Sequence, residues 1–179
     1  MMQIRFGGYG GQGIVLTGML LGKAATLYDK KEAVFTQSHG PEARGGASSA
    51  DVIIAERAID YPFLAEPDVL VVLFQEAYMQ FRSGLRPGGT LIIEADLVHP
   101  IDGEGPLHSL PATRLAEGLG NRIVTNVVVL GYVVGLTGVV SRKAAEEAIR
   151  TSVKSKFIDL NLRAFETGFE RAQSEVCVK

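Results

Sequence analysis

The sequence predicts a single three-layer α/β/α domain with a mainly parallel sheet and a helical C-terminal region, spanning residues 1–179. Three observations lead there. Short β-branched runs alternate with stretches of helical periodicity over the first hundred residues, the pattern of βαβ units. Two of those runs, Asp68–Phe74 and Thr90–Ile93, are continuously apolar, as in strands covered on both faces. After Pro111 the chain reads as helix almost to its end.

Met2 to Phe6 is the first predicted strand, and Gly13 to Leu27 carries apolar residues at helical spacing. Glu32 to Thr36 is a second strand. Ala47 to Ala55 alternates and then runs apolar through Val52-Ile53-Ile54, as a third strand does. Pro62 breaks the pattern within an Asp60-Tyr61-Pro62 turn. Asp68 to Phe74 follows as the central strand, Gln75 to Phe81 as a short helix, Pro87-Gly88-Gly89 as a turn and Thr90 to Ile93 as another strand. Residues 98–111 read as irregular, with Pro100, Gly103, Gly105 and Pro106 close together. Helices are expected over Thr113–Gly118, Val124–Thr137, Ser141–Val153 and Asp159–Ser174, with Ser141 as an N-cap.

Composition narrows the function classes. Apolar residues make up 46% and charged residues 21%, an ordinary globular profile. A chain of 179 residues buries roughly 70% of its unfolded surface in one core. The net charge of −2 and pI near 5.9 leave no electrostatic footprint for nucleic acid, and no basic run suits an anionic membrane. Cys177 is the only cysteine, so this chain by itself holds neither a disulfide nor a four-cysteine iron–sulfur cluster or zinc site. The N-terminus lacks the charged and apolar regions of a signal peptide, and the apolar stretch Ile123–Val140 is interrupted by Asn126 and three glycines. A cytoplasmic protein is expected.

Two glycine-rich segments concentrate the candidate chemistry. The first, Gly7-Gly8-Tyr9-Gly10-Gly11-Gln12-Gly13, satisfies Gly-x-Gly-x-x-Gly between a strand and a helix, so the sheet is Rossmann-like. Such a turn presents backbone amides to an anion at a helix N-terminus. A dinucleotide site also needs a carboxylate at the end of the second strand, and here that strand ends Val34-Phe35-Thr36-Gln37. The second, Ser38-His39-Gly40-Pro41-Glu42-Ala43-Arg44-Gly45-Gly46, places Arg44 before two glycines, where its guanidinium and neighbouring amides suit a carboxylate or phosphate. Glu42 is placed to orient Arg44 or to meet a basic group of a partner. His39 lacks an identifiable orienting acceptor, so a hydrogen-bonded structural role suits it better than general base. His99 and His108 lack ligand spacing, which argues against metal binding. Gln12 and Gln37 either read a ligand edge or brace their loops. Gln75-Glu76 follows the central strand at the carboxyl edge, where α/β proteins place ligands. The candidate ligand-binding set is Gly10, Gly11, Gln12, Gly13, His39, Glu42, Arg44, Gly45 and Gly46. No nucleophile elbow, P-loop or telling carboxylate pair is present, so no catalytic residue is assigned. On the residues alone, a stand-alone dinucleotide-binding oxidoreductase or redox-sensing module and a non-catalytic docking protein both stay open.

These segments, with Asp60-Tyr61-Pro62, Gln75-Glu76-Ala77-Tyr78, Pro87-Gly88-Gly89 and Asn121 to Gly138, resemble the gamma subunit of 2-oxoacid:ferredoxin oxidoreductases, most like those of 2-oxoglutarate (or branched-chain 2-oxoacid) synthases. The resemblance runs in order along essentially the whole chain, and the Pro-Glu-Ala-Arg-Gly-Gly block is its most specific part. It implies an assembly that converts a 2-oxoacid, coenzyme A and oxidised ferredoxin to acyl-CoA, carbon dioxide and reduced ferredoxin. It also implies that thiamine diphosphate, Mg2+ and iron–sulfur clusters lie in other subunits, and that no cofactor is bound by this chain alone. The implied partners are alpha and beta subunits, with delta a further candidate, and ferredoxin through the complex. The implied role is structural and ligand-guiding, near the coenzyme A path, with self-association expected when the chain is isolated.

Overall fold

The computed structural model describes residues 1–38 and 47–176. Six strands form one sheet: β1 (Met2–Tyr9), β2 (Glu32–Ser38), β3 (Ala47–Ala55), β4 (Val69–Val72), β5 (Thr90–Glu94) and β6 (Leu107–Leu110), in the order β2-β3-β1-β4-β5-β6. β1, β4, β5 and β6 pair in parallel, whereas β3 lies antiparallel between β2 and β1. β2 therefore runs in the same direction as β1, one strand removed from it. The expected layered, mainly parallel architecture is what is found, with one reversed strand that local pattern does not reveal.

The helices are α1 (Ile14–Lys23), α2 (Gln75–Phe81), α3 (Ala112–Gly118), α4 (Thr125–Thr137), α5 (Arg142–Arg150) and α6 (Ile158–Val176). α1 continues as a single π turn over Ala24–Tyr28 in place of the uninterrupted α-helix expected to Leu27. Ser141 caps α5 as expected, its Oγ accepting from the Ala144 amide at 3.1 Å. Two expectations need correction. β1 runs three residues past Phe6, because Gly7, Gly8 and Tyr9 pair with Ser49, Ser48 and Ala47 of β3. The segment expected to be irregular contains β6, whose pairing with β5 lies far off in sequence and leaves no two-residue alternation in Leu107-His108-Ser109-Leu110.

The larger core lies between one sheet face and α1 and α3–α6. At its centre is α4, whose residues Asn126 to Gly135 are all buried, which is why its sequence shows no polar stripe. This apolar helix thus packs inside the domain, mainly on α6, instead of forming the outer surface. No helix among the described residues is long and apolar enough to cross a membrane. On the opposite sheet face a smaller cluster gathers Leu70, Val72, Tyr78, Leu91 and Ile93 beneath α2. Beside it, Arg5 on β1 and Asp51 on β3 form a paired two-point ion pair, Nε to Oδ1 at 2.8 Å and Nη2 to Oδ2 at 2.6 Å.

Candidate functional site

Because β1, β2, β4, β5 and β6 share a direction, their carboxyl ends line one edge of the sheet. The turn after β1 emerges there. Ser38, at the end of β2, and Ala47, at the start of β3, stand at the same edge, with Ala47 paired to Tyr9. Both ends of the second glycine-rich segment are thus brought beside the first, by the hairpin-like reversal of β3. His39, Glu42, Arg44, Gly45 and Gly46 themselves lie outside the described residues.

The first turn is held from within. Gln12 Oε1 accepts from the Tyr9 amide at 2.6 Å, Gln12 Nε2 donates to the Leu73 carbonyl at 3.0 Å, and the Gln12 amide donates to the Tyr9 carbonyl at 3.1 Å. Gln12 is therefore the brace that ties the turn to the end of β4, with its amide group spent on backbone. Gly13 has φ +76°, and a Cβ there would stand 2.8 Å from the Asn126 side chain. Asn126 Nδ2 donates to the Gly13 carbonyl at 3.4 Å, and Thr17 Oγ1 stands 3.2 Å from both the Gly13 and Asn126 carbonyls. Gly13 is thus required by fold geometry.

Gly10 is different. Its φ lies outside the left-handed region, and a Cβ built on it meets nothing within 4 Å. Among the described residues, neither backbone angle nor packing demands glycine at that position. A residue without a side chain there leaves the backbone open to close approach by an outside group.

A cavity of about 380 Å³ opens beside this turn, between Gly11, Gln12 and Leu73 on one side and Arg122, Ile123 and Thr125 at the start of α4 on the other. Its floor includes Glu94, at the carboxyl end of β5, which is 1% exposed. Glu94 accepts from three backbone amides: Asp96 at 2.7 Å, Leu97 at 3.0 Å and Thr113 at 3.0 Å. Three N–H donors compensate the burial of its charge and tie the start of α3 to the sheet. Arg122 and Ile123 are exposed at the rim. Residue types alone did not single out Glu94, Asn126 or Arg122 as site residues. Glu94, a carboxylate ending an apolar strand, and Asn126, an amide inside an apolar run, were the visible signals.

Gln75 and His108 are tied into the fold by hydrogen bonds. Gln75 exchanges two hydrogen bonds with the backbone of His99, at 2.7 and 3.2 Å, pinning the segment after β5. His108 Nδ1 lies 3.1 Å from both Tyr132 Oη and Glu175 Oε2, and Tyr132 donates to the same Glu175 oxygen at 2.5 Å. Burial pushes the Tyr132 hydroxyl well above its ordinary value, and the Glu175 hydrogen bond adds to that. Burial alone would raise Glu175. The bonds from Tyr132 and His108, with the Arg171 charge, outweigh it and hold the carboxyl below its usual range. Among the described residues no group of three His, Cys, Asp or Glu side chains is placed to hold a metal ion. The dinucleotide reading also loses ground. The strand beside β1 is the reversed β3, and what meets Tyr9 there is Ala47, with no carboxylate in Ala47-Ser48-Ser49.

Fold and site together define an α/β domain with a glycine-rich carboxyl edge open to an external group and, among the described residues, no nucleophile–base pair at that edge. The chain belongs to the pyruvate ferredoxin/flavodoxin oxidoreductase family, whose sequence model matches residues 3–171. It is 45% identical to a 2-oxoglutarate synthase subunit KorC of Methanocaldococcus jannaschii, over 96% of this chain and 94% of that one. A 2-oxoglutarate synthase subunit KorC of Methanothermobacter thermautotrophicus is 46% identical over 94% of this chain and 93% of its own length. Among solved structures, the gamma subunit of a keto/oxoacid ferredoxin oxidoreductase from Geobacter sulfurreducens superposes with a TM-score of 0.87. That protein is 42% identical, and the match covers 97% of this chain and 99% of the other. The family resemblance legible in the two glycine-rich segments is the relationship found.

Proposed function

We propose that this chain, as one domain over residues 1–179, is the gamma-type subunit of a 2-oxoglutarate:ferredoxin oxidoreductase. The observation that carries this reading is the 45–46% identity with 2-oxoglutarate synthase subunits over 94–96% of this chain. In the assembly, 2-oxoglutarate, coenzyme A and two oxidised ferredoxins give succinyl-CoA, carbon dioxide, two reduced ferredoxins and a proton. Thiamine diphosphate supplies the electron sink for decarboxylation and iron–sulfur clusters pass electrons singly. The residues of this chain fit neither group: one cysteine cannot ligate a four-cysteine cluster, and the sequence has no Gly-Asp-Gly…Asn segment of the thiamine-binding type. Alpha and beta subunits, and a delta subunit where one is present, hold them, and the assembly works in the cytoplasm.

This chain's own part is to shape the approach to that chemistry. Its carboxyl edge faces the alpha and beta subunits, with Gly10 permitting close backbone contact and Gly11 and Gly13 presenting amides. Arg44, in the second glycine-rich segment, meets an anionic group of coenzyme A, with Glu42 orienting it and His39, Gly45 and Gly46 completing the set. Purification of the tagged chain from its native host tests the assembly. Larger brown subunits carrying thiamine diphosphate and iron are expected, and a colourless chain arriving alone with NAD or FAD overturns the reading. Within the complex, Arg44→Ala is expected to raise KM for coenzyme A with thiamine content unchanged. Unaltered KM and complex yield would remove Arg44 from the path.

A further inference from the structure

The two edges of the sheet are built differently. β6 has only four residues, is bounded by Pro106 and Pro111, and has His108 tied back to Tyr132 and Glu175, all devices that blunt an edge. β2 has seven residues, contains no proline or lysine, and pairs with β3 in unbroken register without a bulge. Among the described residues no strand pairs with its outer side. Alongside it, on the α1 face of the sheet, Leu16, Met19 and Leu27 are exposed by 36%, 53% and 64%, in line on one side of α1 and its π turn. Leu16 and Met19 border a groove of about 320 Å³ floored by Ala33 and Phe35. The one cation at that groove is held aside, Lys23 Nζ donating to the Thr151 carbonyl at 3.1 Å and to Ser152 Oγ at 2.8 Å.

We propose that β2 and the outer side of α1 form an isologous docking surface for a second copy of this chain, joining two sheets into one of twelve strands across a two-fold axis at Phe35. The strand is complementary to itself in that arrangement. Val34 of one copy faces Thr36 of the other, a β-branched pair, Ala33 faces Gln37, and Glu32 faces Ser38, so no like charges oppose. A two-fold axis perpendicular to the sheet keeps both α1 helices on one face and sets each Leu16–Met19–Leu27 stripe against its counterpart. A heterologous strand would need its own matching stripe, whereas the second copy brings one by symmetry. Stable interfaces begin at about 1,200 Å² of total buried surface, which a strand pair flanked by two apolar stripes has to reach; for so small a contact a roughly micromolar dissociation constant is expected. This inference rests on the sheet edge and stands whether or not the carboxyl edge meets coenzyme A.

Sedimentation velocity on the purified full-length chain tests it, with hydrogen exchange on β2. A reversible dimer is expected, with slowed exchange of β2 amides as concentration rises. Met19→Lys should raise the dissociation constant at least tenfold. Met79→Lys, equally exposed at 53% but on α2 behind the sheet, should leave it unchanged. Circular dichroism checks that both variants fold. A monomer at roughly a hundred times the expected dissociation constant, a dimer indifferent to Met19→Lys, or open-ended polymers would each overturn the proposal.

Discussion

Replacing Gly131 by alanine should be among the most damaging single-methyl additions in this molecule. A Cβ at Gly131 of α4 would stand 2.0 Å from the Phe165 carbonyl oxygen and 2.8 Å from its carbon, both backbone atoms of α6. Ordinary contact begins near 3.4 Å, so α4 and α6 must part by more than an ångström along that line. Such a gap forfeits about a quarter to a half of each atom pair's ~0.1–0.2 kcal/mol, or about 2–3 kcal/mol over roughly 50 pairs. Strain from overpacking adds about 1–3 kcal/mol, and the better helix propensity of alanine returns about 1 kcal/mol. The net loss is about 2–5 kcal/mol, a large share of a typical stability of about 5–15 kcal/mol. Gly22→Ala is the internal control. Its Cβ meets nothing within 4 Å on α1, so propensity alone acts, for a gain of about 0.5–1 kcal/mol. Urea unfolding followed by circular dichroism, at a concentration below self-pairing, measures both. A Gly131→Ala chain within about 0.5 kcal/mol of the parent would refute the close α4–α6 contact.

Gln12→Ala removes the brace between the Tyr9 amide and the Leu73 carbonyl and should cost about 1–2 kcal/mol, measured by the same unfolding. If Gln12 acted mainly on a ligand, stability would hold and only kinetics would change. Gly10→Leu should leave the isolated chain as stable as the parent yet lower the yield of complex, read by co-purification; unchanged yield would remove Gly10 from the contact. Glu175 is held below its usual carboxylate range, so its contribution is present above the unfolded value of about 4.3 and is lost as pH falls through the lower folded value. Tyr132→Phe removes one of the bonds that lower it. The fall in unfolding midpoint between pH 5 and pH 3 should therefore be shallower in the variant, and an identical acid limb would exclude this cluster as its source.

Local chemistry was readable wherever neighbours in sequence settle the outcome. β-branched runs define β3, β4 and β5, Pro87-Gly88-Gly89 marks a turn, and the Ser141 hydroxyl finds the Ala144 amide three residues on. The glycine-rich blocks also carry the family on their face. Pairing partners distant in sequence were not readable. β6 exists because Leu107 to Leu110 meet β5, and the reversal of β3 between β2 and β1 follows from which strands find one another. Five glycines in one segment look alike in sequence, yet only the fold separates Gly13, fixed by its φ and by Asn126 from a helix 113 residues away, from Gly10, which nothing among the described residues constrains. The sequence by itself determined the composition of the layers and the family, since both rest on local periodicity and contiguous motifs. The tertiary structure alone decided which strands became edges and which glycine stayed open, because both depend on contacts between residues that only folding brings together.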